Sequence, residues 1–389
     1  MSTTELSSWR VNATLNVNYE VRESVDVLDP DNPALLETPD GGATGPRLVI
    51  VDTQVARHYG ARIENYLSKN GVAHQILTLD GDEPNKTMGT VFQIVAALNA
   101  TGTLRVSNPP IAIGGGVLLD VVGLAANLYR RGIPHIRVPT TLLSLVDVSV
   151  AAKTGVNFQG FRNRLGSYSP PPLTLIDSSF LATLPQRHLS NGAGEILKMG
   201  MIKDISLFEL LESHGPELLR TRFQNGIEPV QVIRKAIRGM HEELKDNLWE
   251  KNLRRCVDYG HSFSPLIEMS SLPDLLHGEA VAIDCVFSAV LAHHRGYLRE
   301  DEVRRVIRTA KGLGLRCSHP KFFDPAALTE ALEDTVRHRN GAQNLPVMAG
   351  IGEYTFLNDV TPGEIERAAR GLRAFTLGDD TPLVGERAA

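Results

Sequence analysis

Cysteine is scarce in this chain of 389 residues, with only Cys256, Cys285 and Cys317. They show no CxxC spacing and cannot build a disulfide framework, which fits a reducing cytoplasm. Positive charge is in slight deficit: 40 Lys and Arg stand against 45 Asp and Glu, for a net charge of −5. Without a basic stripe, nucleic acid is not an expected partner. No run of about 18 apolar residues occurs, so no membrane span is expected. The opening MSTTELSSWRVNATL has no basic stretch followed by an apolar core, so no signal peptide is read there. Compact catalytic signatures are missing as well, with neither an HExxH metal motif nor a GxGxxG dinucleotide fingerprint. What is present is an average globular composition, 42% hydrophobic and 22% charged. The length suits two or three domains.

Residues 9–28 alternate apolar and polar and predict a strand or hairpin. Residues 29–46, rich in Pro, Gly and Asp, read as a loop. RLVIVDTQ then reads as a buried strand, followed by a helix over 53–69, a strand in AHQILTLDGDE and a helix over 86–100. PPIAIGGGVLLD gives strand, glycine turn and helix, and HIRVPTTLLSLVD one more strand. Such alternation argues for a parallel sheet covered on both faces, which binds ligands outside the carboxyl ends of its strands. From about residue 180 the β-rich runs stop. Helical patterns cover 192–203, 205–220, 228–247, 277–295, 300–313 and 325–337. The expectation is an α/β domain over 1–185, of which 1–46 is a strand and loop extension, and a helical domain over 186–389.

Three dispersed residues suit one metal ion: Glu195 in NGAGEILK, His261 in DYGHSF and His277 in LLHGEA. Each sits in a segment that reads as helical, Glu195 and Lys198 share a face, and His277 opens a helix of about five turns. Two imidazoles and a carboxylate fit a catalytic zinc site with an open fourth position. The plainer reading makes the histidines polar helix caps. Gly114–Gly116 ends a strand and opens a helix containing Asp120, either a phosphate-approaching turn or only a tight one. Asp52 reads as a ribose acceptor or as a helix cap. Glu83 and Lys86 read as a surface pair or as lining for an adenosine. Arg131, Lys153, Arg162, Asn163 and Lys198 lie in loops or turns near the sheet edge and the Glu195 helix. Isolated cations are usually solvated. Lys153 and Lys198, however, sit in apolar stretches where a cation needs an anion, and the set suits a phosphate monoester.

Taken together, GGGVLLDVVGLAA, YRRGIPHIRVPTTLLSLVDVSVAAKTGVN, RNRLGSY, LPQRHLSNGAGEILK, DYGHSF and LLHGEAVAI resemble the sugar phosphate cyclase family, of which dehydroquinate synthase is the best-known member. The resemblance spans about residues 48–360. It implies a dehydroquinate synthase-like fold: a Rossmann-like NAD-binding α/β domain, an all-α metal-binding domain, an active site between them, and a homodimer. It implies a metal, zinc or cobalt, on Glu195, His261 and His277. It implies NAD contacts from Asp52, Glu83, Lys86, Gly115, Gly116, Asp120, Thr140, Thr141, Asp147, Leu181 and Thr183. Arg162 joins them in place of a family lysine. Substrate and phosphate contacts fall on Lys153, Asn163, Lys198 and Arg254, with Arg131 reaching the neighbouring subunit.

The departures bear on the substrate. Met240 stands where dehydroquinate synthase has a lysine, Asp258 replaces an asparagine, Pro265 a histidine, and Pro346 aligns near a further lysine. A carboxylated substrate would lose its partners there. The pattern resembles the branch that turns sedoheptulose 7-phosphate into 2-epi-5-epi-valiolone for C7-cyclitol natural products, such as aminocyclitol antibiotics. The implied course is transient oxidation by NAD, phosphate elimination, reduction, ring opening and intramolecular aldol closure. The alternatives are dehydroquinate synthase, a cyclase giving another epimer and, more distantly, a metal-dependent glycerol or alcohol dehydrogenase.

Overall fold

The structure, a computed structural model, describes residues 8–37 and 45–377. Part of the expected 29–46 loop, residues 38–44, lies outside them. Strands β1 (Glu20–Glu23), β2 (Arg47–Asp52), β3 (His74–Leu79), β4 (Ile111–Gly114) and β5 (Ile136–Pro139) come from the first half. With β8 (Leu173–Ile176) they form one parallel sheet in the order β1-β8-β5-β4-β2-β3. The strands RLVIVD, IAIG and LTLI are nearly continuous apolar runs because both faces are covered. Helices α1 (Thr53–Lys69), α2 (Met88–Ala100) and α3 (Gly116–Leu128) supply that cover, and separate apolar cores fill the two faces. Chain order reverses between β2 and β4, the switch point where such sheets bind ligands.

Strands β6 (Lys153–Phe158) and β7 (Phe161–Tyr168) form an antiparallel hairpin outside the main sheet. The expectation of loops at Lys153, Arg162 and Asn163 is therefore corrected: all three lie on this hairpin. The N-terminal prediction is corrected too. Only Glu20–Glu23 is strand, and it pairs parallel to β8 rather than folding on itself.

The second half contains α4 (Gln186–Ile202), α5 (Ile205–Arg220), α6 (Glu228–Leu244), α7 (Ser264–Met269) and α8 (His277–His294). It continues with α9 (Glu300–Gly312), α10 (Pro325–His338) and α11 (Pro362–Leu377). Helix α8 is apolar all round and buried from Gly278 to Ala292, so it forms the axis around which the others pack. The β-rich pattern does not stop at 180. Hairpin β9 (Leu345–Gly350) and β10 (Glu353–Leu357) packs into the helical half. No helix among the described residues is long and apolar enough to cross a membrane.

Candidate active site

Close helix packing assembles the metal cluster. A Cβ on Gly194 of α4 would run into the Gly278 carbonyl at the start of α8, and one on Gly278 would strike Asn191. Only paired glycines allow this approach, which sets Glu195 beside His277. His261 is not helical, contrary to expectation. It follows Gly260, whose φ of +76° makes the turn before α7. Glu195 Oε1 lies 3.2 Å from His277 Nε2 and 3.5 Å from His261 Nε2. The three ligand atoms fall within 4.8 Å of one another. His261 Nδ1 lies 3.2 Å from the Tyr259 carbonyl, which can only accept, so the ring turns a lone pair on Nε2 toward Glu195.

These residues fit a metal ion. Both Glu195 oxygens are buried, and neither accepts a hydrogen bond of normal geometry, although Lys198 Nζ forms an ion pair with Oε2 at 2.5 Å. Burial raises the Glu195 pKa, but Lys198 and the two histidines outweigh it and hold the carboxyl well below its usual range. Burial, and then Lys198, push His261 down to about 3, which leaves the imidazole neutral, the form a metal would need. Asp147, in the turn Ser144–Val148, is pushed up by burial and then by the Glu195 charge.

Two carboxylates that sequence reasoning missed support the cluster. Asp284 of α8 accepts the backbone N–H groups of Ser262, Phe263 and Ser264 at 3.0, 2.7 and 2.8 Å, pinning the segment after His261. Glu268 of α7 meets His277 Nδ1 at 3.0 Å and Arg162 Nη1 at 2.7 Å. Burial opposes its ionisation, yet Arg162 and His277 hold its pKa at about 2. The available signal was an acid set among apolar residues in each helix, Glu268 in α7 and Asp284 in the middle of α8. Pro265, expected to remove a substrate-facing histidine, stands in the first turn of α7.

On the nucleotide side, a Cβ on Gly114 would strike Leu118, so the backbone at the switch point stays bare. Gly115 caps α3 without any side chain. Asp52 realises its capping reading: it accepts from Gln54 N at 2.8 Å, and from Gly81 N at 3.1 Å on the loop after β3. Lys86 is buried, 2.6 Å from both Asp120 and Asn163. Glu83 accepts from Asn157 at 2.8 Å and lies 3.9 Å from Arg162. Thr140 continues from β5, and Thr141 bonds Ser144 at 2.8 Å. Leu181 is buried, and Thr183 meets Tyr59 at 3.1 Å. The hairpin thus joins Glu83, Lys86 and Asp120 to the metal cluster through Arg162 and Asn163.

On the substrate side the expectations are partly overturned. Lys153 does not sit in apolar surroundings; its side chain is 54% exposed and pairs with Glu250 at 2.8 Å. Glu250 also pairs with Arg255, which bonds Asp258 at 2.7 Å, and Arg339 meets Asp258 at 3.4 Å. Asp258 is therefore no free anion. Arg254, expected here, is exposed and stacks 4.6 Å from the Phe356 ring centre, while its neighbour Arg255 takes the inner place. Met240 is buried against Val150 and Ala151 in a small apolar wall, with Leu244 beside it. Pro346 lies buried in β9 opposite Phe356. Arg131 is exposed, with φ +65°, and is not part of this cluster.

Comparison with known proteins agrees with this geometry. Residues 76–191 match the family described as 3-dehydroquinate synthase N-terminal, and 192–336 the one described as 3-dehydroquinate synthase C-terminal. A 2-epi-5-epi-valiolone synthase of an Actinoplanes species is 50% identical over 383 residues, covering 97% of this chain and 96% of that one. One from Streptomyces hygroscopicus subsp. jinggangensis is 49% identical, covering 94% and 90%. The solved structure of the 2-epi-5-epi-valiolone synthase ValA from the latter organism, with NAD+ and Zn2+ bound, superposes with a TM-score of 0.89 at 50% identity, covering 94% of this chain and 99% of that one. A 2-deoxy-scyllo-inosose synthase complexed with carbaglucose-6-phosphate, NAD+ and Co2+ gives 0.73 at 25% identity, covering 91% and 96%. A glycerol dehydrogenase from Schizosaccharomyces pombe shares the fold, with a TM-score of 0.67 at 14% identity. With both halves matched and its candidate metal ligands gathered between α4, α8 and the turn before α7, the chain belongs to the 3-dehydroquinate synthase family of sugar phosphate cyclases.

Proposed function

We propose that this protein converts sedoheptulose 7-phosphate into 2-epi-5-epi-valiolone and inorganic phosphate, using NAD and a zinc ion. The observation that carries the reading is the buried Glu195–Lys198–His261–His277 cluster in a chain about half identical to valiolone synthases over nearly its full length. Glu195, His261 and His277 would hold the metal. When bound, it lowers the pKa of a chelated hydroxyl and polarises the ketone, while NAD takes up and returns a hydride.

The chain's own groups position and stabilise. Lys198 offsets the Glu195 charge and offers its ammonium where negative charge grows on the substrate oxygen. Lys153 is exposed enough to leave Glu250 for a phosphate, and Asn163 offers its amide nearby. Gly114–Gly116 and Lys86 receive the cofactor's pyrophosphate side. The Glu250–Arg255–Asp258–Arg339 ladder holds the far wall of the site rigid. We assign Arg131, exposed on its strained turn, to the phosphate site of a second subunit in a homodimer, and the enzyme to the cytoplasm and to C7-cyclitol natural-product synthesis.

Pure protein given NAD, zinc and sedoheptulose 7-phosphate should release phosphate with no net change in NADH absorbance. The product configuration is read by NMR. Stoichiometric NADH would instead indicate a dehydrogenase. A preference for the carboxylated heptulosonate substrate would indicate a dehydroquinate synthase.

A further inference from the structure

The two imidazoles of the metal cluster are oriented by different means. His261 Nδ1 faces a backbone carbonyl, which fixes that ring by itself. His277 has no such carbonyl. Its Nδ1 faces Glu268 Oε2 at 3.0 Å, and Arg162 Nη1 contacts both that oxygen, at 2.7 Å, and Nδ1 itself. These contacts are alternatives. An imidazole nitrogen either donates a proton to a carboxylate or accepts one from a guanidinium. If it accepts from Arg162, the proton sits on Nε2, facing Glu195, and the ring cannot ligate through that atom. If it donates to Glu268, Nε2 keeps its lone pair.

We infer that Glu268 is a positioning residue that selects the metal-binding tautomer of His277, and that Arg162 acts through it as the group that holds the carboxylate in place. The rest of the geometry agrees. Glu268 is buried, with its side chain 2% exposed, and Arg162 is its cationic neighbour. The helix that carries Glu268 is only six residues long, yet three backbone bonds from its N-terminal region to Asp284 anchor it to α8, which also carries His277. Acid and imidazole are therefore referenced to one rigid element. Glu83 Oε1, 3.9 Å from Arg162 Nε, adds a second carboxylate beside the guanidinium. Outer carboxylates of this kind raise ligand basicity and fix ring orientation.

The inference rests on the metal site proposed above. Its test is zinc affinity of the metal-stripped protein, by competition with a chromogenic chelator, beside the visible spectrum of the cobalt form. Glu268→Gln keeps shape and loses the charge that favours the Nδ1 proton. It should weaken zinc about tenfold to a hundredfold and shift the cobalt bands. Arg162→Lys should move both readouts in the same direction by less. Should the glutamine variant fail to fold, Glu268→Asp keeps the charge and withdraws its reach, and the same loss of affinity and band shift are expected. A folded variant with zinc affinity within about twofold of wild type and unshifted bands overturns the assignment of Glu268. A wild-type protein that binds neither metal overturns the metal site itself.

Discussion

Lys153 and Asp258 look alike in sequence, each a charge where a family pattern predicts substrate contact, but their surroundings divide them. Lys153 is half exposed and has one partner, Glu250, so a phosphate can compete for it. Lys153→Ala should reduce kcat/KM about tenfold to a hundredfold, the worth of a charge-assisted contact. Steady-state kinetics with unchanged kcat/KM would mark it as a surface lysine. Asp258 is locked between Arg255 and Arg339, and burial fails to raise its pKa because those guanidiniums prevail. Asp258→Asn should therefore act first on stability, by about 1–3 kcal/mol, because the buried Arg339 loses its counter-charge and Arg255 is left with Glu250 alone. Denaturant unfolding measures that. The same variant should accept the carboxylated heptulosonate better than wild type does, since the wall becomes one charge more positive. If selectivity is unmoved while stability falls, discrimination lies with the apolar wall at Met240 instead.

At the scale of elements, the site depends on how closely α4 and α8 pack. Gly194→Ala would drive a methyl into the Gly278 carbonyl, and the helices would have to part. Overpacking of this kind costs about 1–3 kcal/mol, and the gap would spread Glu195 from His277. The expected result is a lower melting temperature together with metal depletion in elemental analysis; full metal content would show that α4 can slide without opening the site. These helices were legible because their apolar residues recur at helical spacing: α5 and α8 fall where expected, to within one residue. Other elements were not. The β6–β7 hairpin carries Lys153, Arg162, Asn163 and Arg164, and so lacks a clean apolar alternation. Its readable sign was the two-residue turn Gln159–Gly160 between Phe158 and Phe161, both at positive φ. Helix α7 is too short for periodicity to register, and β9–β10 hides in a helical context. The candidate metal ligands were readable as residue types. Glu268 and Asp284 were not, because each meets its partner on a neighbouring segment through a contact that helical periodicity does not mark.

Over the whole molecule, the N-terminal strand is tied to both halves. It pairs with β8, Tyr19 donates to the Val150 carbonyl at 2.8 Å ahead of Lys153, and Glu23 pairs with Arg234 of α6 at 2.6 Å. Deleting residues 1–23 should expose the β8 edge, lower the melting temperature and promote association. Thermal melts with light scattering would show it, and a truncated protein that melts like the full chain would make the arm dispensable. A further consequence lies in how far apart along the chain the metal ligands stand. Glu195 belongs to the middle of the polypeptide, His277 comes much later, and part of the cover of α8 comes from α11, where Gly371 packs against Val290. If α8 needs α11 to pack firmly, the candidate metal site is completed only late in synthesis. Nascent chains halted before Pro362 should accordingly retain zinc poorly beside the released protein. On that reading the choice between zinc and its competitors would fall to the finished protein, set against the cell's metal pool, and not to the emerging chain.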